Sequence, residues 1–254
     1  MTWTIETLKP AIVCVGDELL YGEITNTNLT WIQDQFVTLG APFQKLVTIP
    51  DHIATISLEI QRLLHDQYHP IIVTGGLGGT HDDVTREAIA HALKVEFCVH
   101  QECLDILHDL YKLEITDQRK RMAVLPKDCT LIHNPLGAPG FHLQEVYAFP
   151  GFPQMFKPMV KYIIENQGPN IQVEQKTMIY LYNTTEGVIA LDVEDFAQNN
   201  KSLNVGIYGN VDSYLRQTRV KVRYTTQSTL DESVLEQFFL GIAEKHQIEY
   251  KRIS

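Results

Sequence analysis

Four glycines stand close together between an apolar run and a helical pattern, and this feature constrains the fold more than any other. The segment reads Val73-Thr74-Gly75-Gly76-Leu77-Gly78-Gly79-Thr80-His81-Asp82-Asp83-Val84-Thr85. Glycine allows positive φ and lets backbone N–H groups approach a ligand closely. A strand that passes through such a bend into a helix is typical of open α/β sheets, in which ligands gather at the carboxyl ends of the strands. We therefore expect a ligand site at this bend.

Apolar runs alternate with helical periodicities over the first two thirds of the chain. Strands are predicted at residues 11–15, 43–49, 71–74, 131–133 and 146–149, and helices at about 27–39, 53–63, 83–93 and 155–166. Residues 94–122 are predicted to hold a short extended piece and more helix, which includes residues 104–111. Strands separated by helices of about 10–15 residues indicate βαβ units and a parallel sheet covered on both faces. The first domain is therefore predicted to be α/β, a three-layer αβα fold with a mostly parallel sheet.

The pattern changes after Gln167-Gly168-Pro169-Asn170, whose turn residues make it the best candidate for a linker. Beyond it, strands are predicted at 173–182, 203–208, 219–225 and 249–253, and helices at 185–198 and 230–246. The order β-α-β-β-α-β predicts a small α+β domain with an antiparallel sheet. We thus predict two domains, residues 1–167 and 171–254.

Composition and charge argue against several classes of protein. The chain of 254 residues has a net charge of −10 and lacks the basic stripe with which proteins neutralise nucleic-acid phosphates. No apolar run reaches the roughly 20 residues of a membrane-spanning helix, and Met1–Pro10 lacks the pattern of a signal peptide. The spacing of Cys14, Cys98, Cys103 and Cys129 fits neither a zinc site nor a disulfide framework. We expect a cytoplasmic protein without nucleic-acid or membrane partners.

The glycine bend and the helix after it predict an anion site, because a helix N-terminus offers free N–H donors and partial positive charge. The bend fits neither the G-x-G-x-x-G fingerprint nor the P-loop, and no lysine follows it. The charge opposed to a phosphate must then come from elsewhere or from a metal such as Mg²⁺, for which Asp82 and Asp83 are candidate ligands. Helix capping by one of these aspartates fits the spacing equally well. His81 either touches phosphate or is an exposed loop histidine.

Carboxylates follow three consecutive predicted strands. Asp17 and Glu18 follow the first strand, Asp51 the second and Asp83 the third. Because the carboxyl ends of parallel strands share one edge of a sheet, we expect these groups to converge there. Carboxylates at such an edge can act as general bases or metal ligands. Helix capping is the alternative interpretation for each of them.

Two further segments are rich in turn residues and are candidates for lining the site. They are Asn134-Pro135-Leu136-Gly137-Ala138-Pro139-Gly140-Phe141 and Pro150-Gly151-Phe152-Pro153. Ordered loops of this kind often line binding sites, although a plain connecting loop is an equally good explanation. By contrast, His65 and His69 lack the intervening glutamate of an H-E-x-x-H site and are predicted to be solvated surface residues.

Taken together, these segments resemble the molybdopterin-binding domain of the MoaB/MogA type. They resemble more closely the CinA N-terminal branch, which includes the N-terminal part of many eukaryotic FAD synthases. The resemblance covers roughly residues 10–166, and its motifs occur in the family's order. These motifs are Val15-Gly16-Asp17-Glu18-Leu19-Leu20-Tyr21-Gly22-Glu23-Ile24-Thr25-Asn26-Thr27-Asn28, Ile49-Pro50-Asp51, residues 74–85, Arg121-Met122-Ala123, residues 134–140 and residues 150–153.

The resemblance implies roles for the site residues. It matches Asp51 and Asp83 to the acidic pair of the MogA-like site, and Gly75, Gly76 and Gly78 to its phosphate-cradling glycines. Members of the CinA branch hydrolyse the pyrophosphate of ADP-ribose or FAD with a divalent metal, often helped by K⁺, so Mg²⁺ or Co²⁺ is expected. The candidate residues are Asp17, Glu18, Asp51 and Asp83 for catalysis, Asp82 and Asp83 for metal, and Gly75, Gly76, Gly78, Thr80, His81, Asn134, Gly137, Pro139, Gly140, Pro150 and Gly151 for substrate.

Two departures from the pattern bear on catalysis. Gly79 stands where the branch usually has proline, and Gln154 stands where it usually has the glutamate after the Pro-Gly-x-Pro turn. The first hypothesis is a metal-dependent nucleotide pyrophosphatase. Gln154 favours the alternative, a non-catalytic protein that binds molybdopterin or a nucleotide, and a molybdopterin adenylyltransferase is a third interpretation. Residues 171–254 resemble more weakly the KH-like domain of CinA proteins, and because relatives form dimers or trimers, a homo-oligomer is expected.

Overall fold

The computed structural model describes residues 3–4, 7–112, 115–169, 175–209, 217–225 and 231–253. The chain divides into two compact units, Met1–Gln172 and Val173–Ser254. Parts of the predicted linker and elements, at residues 170, 173–174 and 230, lie outside the described residues. None of the described helices is both long and apolar enough to cross a membrane.

Strands and helices alternate along the first unit, as the sequence predicts. The strands in its described residues are β1 Ala11–Val15, β2 Lys45–Ile49, β3 Ile71–Thr74, β4 Phe97–Val99, β5 Val124–Pro126, β6 Thr130–Ile132, β7 Gly140–Leu143 and β8 Val146–Phe149. The helices are α1 Asp17–Leu20, α2 Thr27–Thr38, α3 Ile53–His65, α4 Thr85–Leu93, α5 Gln101–Tyr111, α6 Asp117–Arg121 and α7 Pro153–Gln167.

The first unit is built on a six-stranded sheet with the order β2-β1-β3-β8-β7-β6. The first four strands of that order run parallel, whereas β7 and β6 are antiparallel. β4 and β5 form a separate antiparallel pair. The predicted mostly parallel sheet is therefore confirmed. As a consequence, the loops after β1, β2, β3 and β8 all leave the same edge of the sheet.

Two hydrophobic clusters cover the two faces of this sheet. In β1, Ala11, Val13 and Val15 belong to one cluster, which also contains the buried faces of α3, α4 and α5. Ile12 and Cys14 point to the other face and belong to the cluster packed by α2 and α7. Because side chains alternate along a strand, a strand that is buried throughout must be covered on both sides. The three layers follow from this pattern.

Three short elements, α1, β5 and β7, are absent from the sequence prediction. β5 and β7 have three and four residues, and each is defined by pairing with a distant or adjacent strand, not by a local pattern. β7 begins at Gly140, so the predicted loop at 134–141 ends inside a strand. A methyl group added at Gly140 would lie 2.4 Å from the carbonyl oxygen of Ala148. Close packing of β7 on β8 therefore explains this glycine.

The prediction that His69 is a solvated surface residue is wrong. Its side chain is only 20 % exposed, its ring meets Trp3 edge-on with centroids 6.2 Å apart, and it pairs with Glu145. The backbone of His69 also exchanges hydrogen bonds with Lys9, which draws the segment before β3 against the N-terminal residues. His65, in contrast, is exposed beside Asp66, as predicted.

The second unit is a small α+β domain. Its elements are β9 Gln175–Tyr182, α8 Glu186–Asn199, β10 Asn204–Gly209, β11 Thr218–Thr225, α9 Glu232–His246 and β12 Tyr250–Ile253. The sheet has the order β10-β11-β9-β12 with antiparallel pairing throughout. Tyr180 stacks on Phe239 with ring centroids 4.2 Å apart, and Tyr182 donates a hydrogen bond to the Phe239 carbonyl. The predicted β-α-β-β-α-β order is confirmed.

Candidate functional site

A cavity of about 650 Å³ opens at the carboxyl edge of the large sheet. Its wall begins where three parallel strands end, at Val15 in β1, at Thr74 in β3 and at Pro150 just after β8. Helix α2 contributes its first turn, and α5 contributes Tyr111. The volume lies in the range of small-molecule sites.

The glycine bend adopts a backbone that other residues cannot readily follow. Gly75 has φ of 103° and Gly76 has φ of 65°. A methyl group at Gly75 would lie 2.0 Å from the Val15 carbonyl oxygen, and one at Gly76 would lie 2.4 Å from the Thr85 hydroxyl. The bend therefore packs directly on the end of β1, and both glycines are required by sterics as well as by φ.

Asp83 closes the glycine bend from within. Its carboxylate accepts hydrogen bonds from the backbone N–H groups of Gly78, at 2.7 Å, and Thr80, at 2.8 Å, and from the Thr80 hydroxyl. Helix α4 begins after Val84 and has no side-chain cap, so the capping interpretation of Asp82 and Asp83 is wrong. These hydrogen bonds fix the conformation of the loop from Gly78 to Asp83, which lines the cavity.

Three backbone donors of the bend stay available for an anion. In the described residues, the N–H groups of Gly76, Leu77 and Gly79 have no hydrogen-bond partner, whereas that of Gly75 donates to the Phe149 carbonyl at 3.2 Å. All four residues line the cavity. Successive backbone N–H groups in a bend of this kind can form an anion-binding concavity.

A buried arginine supports the bend from below, and the sequence pattern gave no signal for it. Arg86 is 5 % exposed, and its guanidinium donates to the carbonyls of Gly78 at 2.6 Å, Val124 at 3.2 Å and Arg121. Burial lowers the pKa of Arg86, and the charge of Asp83 opposes that shift. The positive charge that no lysine supplies is therefore present, beneath the loop and not within the cavity.

Of the four carboxylates predicted to converge, Glu18 and Asp51 lie near each other in the cavity wall, whereas Asp17 does not line the cavity and Asp83 turns into the bend. Asp51 accepts a hydrogen bond from the backbone N–H of Asp17 at 2.9 Å, and its carboxylate lies 3.3 Å from the position of a methyl group at Gly76. Glu18 folds back over Gly16 and lines the cavity with Asp51. Burial raises the pKa of Asp51, and the negative charges of Glu18, Asp17 and Asp82 raise it further. A cation is favoured where these charges meet.

The carboxylates near the cavity differ in how well they could bind a divalent metal. Both oxygens of Asp83 already accept hydrogen bonds, and Asp82 is exposed. In the described residues no group of three or more His, Cys, Asp or Glu side chains is arranged to hold a metal. Asp51 and Glu18 remain, and Mg²⁺ is commonly bound by one or two carboxylates together with substrate phosphates.

The predicted site residues divide by their place relative to the cavity. Those that line it are Glu18, Asp51, Gly75, Gly76, Gly78, Thr80, Asp82, Asp83, Gly137, Pro139, Pro150 and Gly151. Asp17 contacts Asp51 through its backbone only. The side chain of His81 is 96 % exposed and lies outside the cavity lining. Gly140 is buried in β7, as described above.

Asn134 shapes the loop that follows it without lining the cavity. Its side chain donates to the Ala138 carbonyl at 2.8 Å and accepts from the Leu136 N–H at 3.0 Å. This bonding holds Gly137 and Ala138 in the cavity wall. The turn-rich composition of the segment therefore reflects an ordered lining loop.

Several lining residues were not among the predicted site residues. Asn28 is 6 % exposed and donates to the Gly151 carbonyl at 2.7 Å, which ties the start of α2 to the loop after β8. Asn26 caps α2 by accepting the Leu29 N–H. Tyr111 and Met122 form apolar wall. The asparagines had a detectable signal, since two of them stand in the quoted motif, whereas Tyr111 comes from a separate helix.

The family model described as a probable molybdopterin binding domain matches residues 11–169. That range holds the whole of the large sheet and the cavity described above. The chain belongs to this family. The small antiparallel unit lies beyond the matched residues of the molybdopterin-binding domain.

Relatives of this molybdopterin-binding domain include proteins named CinA-like. A protein of Sulfolobus acidocaldarius is 32 % identical over 199 residues, which cover 74 % of this chain and 75 % of the relative. A CinA-like protein of Citrifermentans bemidjiense is 34 % identical over 193 residues, covering 72 % of this chain and 46 % of the relative. The chain thus spans about half the length of the CinA-like relatives it matches.

A solved structure agrees with this assignment. The structure of CinA with unknown function from Thermoplasma acidophilum is 28 % identical, covers 63 % of this chain and 98 % of its own, and superposes with a TM-score of 0.58. The protein is therefore a CinA-like member of the molybdopterin-binding domain family.

The two departures from the CinA-like pattern have structural counterparts. A methyl group at Gly79 would lie 2.1 Å from the Gln118 carbonyl oxygen, so the backbone of α6 packs on the bend where a side chain would otherwise stand. Gln154 is exposed and lies outside the cavity lining. In this chain the glutamine therefore does not replace a group inside the site.

Proposed function

We propose that this protein binds a phosphorylated nucleotide or pterin in the cavity and hydrolyses the diphosphate of ADP-ribose or an FAD-like dinucleotide with the help of a divalent metal. The observation that carries the proposal is that one cavity holds groups suited to an anion and groups suited to a cation. The N–H groups of the glycine bend are free and Arg86 bonds the bend at Gly78, while the carboxylates of Asp51 and Glu18 line the same cavity. A diphosphate with a bound metal ion would fit both sets of groups, since its phosphate oxygens are negative and its metal ion is positive.

The anion would be bound by the backbone of the bend. The N–H groups of Gly76, Leu77 and Gly79 would donate to phosphate oxygens, while Asp83 and Arg86 keep the loop in its shape. The guanidinium does not need to reach the ligand, because a buried charge acts through a low-dielectric medium over several ångströms. The backbone N–H groups and the charge of Arg86 would together take the role that a lysine has in a P-loop.

The carboxylates would serve the reaction itself. Asp51 is the residue best placed to hold a divalent metal against the phosphate, and such an ion supplies polarisation of the phosphoryl oxygen and a more acidic water. Glu18 would accept the proton from the attacking water as general base. Asp17, whose backbone holds Asp51 in place, would act as a positioning residue.

The test is turnover by the full chain. The protein is incubated with ADP-ribose or FAD and with Mg²⁺ or Co²⁺, with and without K⁺, and AMP is quantified. We expect AMP release that chelation abolishes, and a loss of at least about 100-fold in kcat for Glu18→Gln and Asp51→Asn. Glu23→Gln is the matched control, since Glu23 is exposed and does not line the cavity. Absence of AMP with every substrate and metal would refute the hydrolase.

Binding without hydrolysis is the second candidate, and one observation favours it. Asp83 has both oxygens engaged, and the described residues contain no cluster of three metal-binding side chains. A nucleotide or molybdopterin would then be held and released unchanged. Calorimetric binding of ADP-ribose without AMP formation would support this function over the first. Size-exclusion chromatography with light scattering would test the expected homo-oligomer in the same samples.

A further inference from the structure

One exposed aromatic ring lines the cavity and has no role in the proposed chemistry. Phe152 lines the cavity and is 69 % exposed, and in the described chain its ring has no aromatic or cationic partner. Phe156, one turn later in α7, is instead buried against Trp31 and Phe149. Exposure of a ring this large leaves a flat apolar face open to whatever enters the cavity.

The backbone that carries this ring is fixed. Pro150 and Pro153 restrict φ on either side of it, and the Phe152 carbonyl accepts the N–H groups of Met155 at 3.0 Å and Phe156 at 2.9 Å. The preceding carbonyls are tied as well, with Gly151 bonded to Asn28 and Pro150 bonded to Thr74 at 3.2 Å. The ring is therefore presented from a rigid turn.

That turn also touches the proposed phosphate site. A methyl group at Gly151 would lie 3.5 Å from the Cα atom of Gly75, so the two backbones are in contact. Phe152 is the next residue, and consecutive Cα atoms are about 3.8 Å apart. A ligand whose phosphates rest on the glycine bend would therefore place a group one sugar away within reach of the ring.

We propose that Phe152 determines ligand specificity by stacking its exposed ring on the planar nitrogen heterocycle of the bound ligand. The inference rests on the proposed function, because the phosphates must be anchored at the bend for the heterocycle to arrive. Aromatic faces stack on such rings without needing particular hydrogen-bond groups. Phe152 would thus select ligands that carry a flat base over free pyrophosphate or sugar phosphates.

The experiment compares ligands with and without a ring. Dissociation constants of ADP-ribose, AMP, FMN, neopterin monophosphate and inorganic pyrophosphate are measured by calorimetry for the full chain in EDTA. The variants are Phe152→Ala, the conservative Phe152→Tyr, and Leu136→Ala as matched control. Leu136 is 57 % exposed and does not line the cavity. The three monophosphates distinguish adenine, flavin and pterin as the preferred ring.

We expect Phe152→Ala to weaken binding of the preferred ring-bearing ligands by about 5- to 150-fold. Phe152→Tyr should restore them to within about twofold, and pyrophosphate should bind all variants equally. Unchanged affinity for ADP-ribose in Phe152→Ala, or an equal loss for pyrophosphate, would overturn the inference and leave the proposed function standing. A change of oligomeric state in Phe152→Ala without a change in nucleotide affinity would likewise overturn it. Failure of the wild-type protein to bind any of the ligands, both in EDTA and with Mg²⁺ in its place, would refute the proposed function itself.

Discussion

Replacement of Arg86 by methionine should strongly destabilise the first unit. Three backbone carbonyls, those of Gly78, Arg121 and Val124, accept from its guanidinium, and the residue is 5 % exposed. A hydrogen bond to a charged group contributes about 1.5–3 kcal/mol, so three amount to roughly 4–9 kcal/mol. Removal of a buried charge returns several kcal/mol of desolvation free energy. The expected net loss is therefore about 2–4 kcal/mol.

Tryptophan fluorescence isolates this effect. The two tryptophans of the chain, Trp3 and Trp31, both lie in the first unit, and Trp3 is buried while Trp31 packs edge-on against Phe156. Urea unfolding followed by fluorescence thus reports on that unit alone, even if the whole chain unfolds in more than one step. With an m value of about 2 kcal/mol per molar urea, Arg86→Met should lower the midpoint by about 1–2 M.

Two companion variants make the result decisive. Arg121→Met removes an exposed arginine side chain and leaves the carbonyl that accepts from Arg86, so its stability should stay within about 0.5 kcal/mol of wild type. Arg86→Lys keeps the charge but loses the planar fork, and it should fall between the other two. Equal midpoints for Arg86→Met and Arg121→Met would show that the guanidinium bonds contribute no net stability to the bend.

Three further predictions test separate parts of the structure. Gly75→Ala should cost about 2–3 kcal/mol or prevent folding, because φ is 103° and the new methyl group meets the Val15 carbonyl; urea unfolding by fluorescence measures it. The pKa of Asp51 is raised in the folded state, so its ionisation disfavours folding as the pH rises. Asp51→Asn should therefore unfold at higher urea than wild type at pH 7, a difference that should vanish below about pH 3.9. Tyr182→Phe removes a buried 2.7 Å hydrogen bond and should destabilise the second unit by about 1 kcal/mol in calorimetry, with no change in tryptophan fluorescence unfolding.

Elements with strong periodicity could be predicted from the sequence almost residue by residue. β1, β3 and β8 have the predicted bounds, since each is a short apolar run buried on both faces. Helix α2 begins after Asn26 and is followed by Gly40 with φ of 74°, as the capping residues indicate. Short elements such as β5 and β7 could not be predicted, because distant pairing and not local pattern creates them.

The candidate site could be located from the sequence but its internal contacts could not. Asp17 and Asp51 each follow a parallel strand, and this alone brings them to the same edge of the sheet, because parallel strands end together there. The same reasoning cannot say whether a carboxylate faces the ligand or the backbone. Asp83 turns into the bend, a choice decided by the N–H groups of Gly78 and Thr80 that need an acceptor. Nothing in the sequence marks Arg86 as buried, since arginine is usually exposed.

The inward turn of Asp83 has a consequence for how any ligand is recognised. The negative charge of Asp83 is stabilised by hydrogen bonds from the loop's own N–H groups and by the nearby positive charge of Arg86. The charge of Asp83 partly offsets that of Arg86, so the bend offers an anion chiefly its free backbone N–H groups, while Asp51 and Glu18 make another part of the cavity wall negative. A bare phosphate would meet this wall unfavourably, whereas one that brings a divalent cation would not. Phosphate affinity should therefore rise steeply when Mg²⁺ is added, and this rise should be lost in Asp51→Asn; equal affinity with and without Mg²⁺ in the wild-type protein would contradict the charge arrangement inferred here.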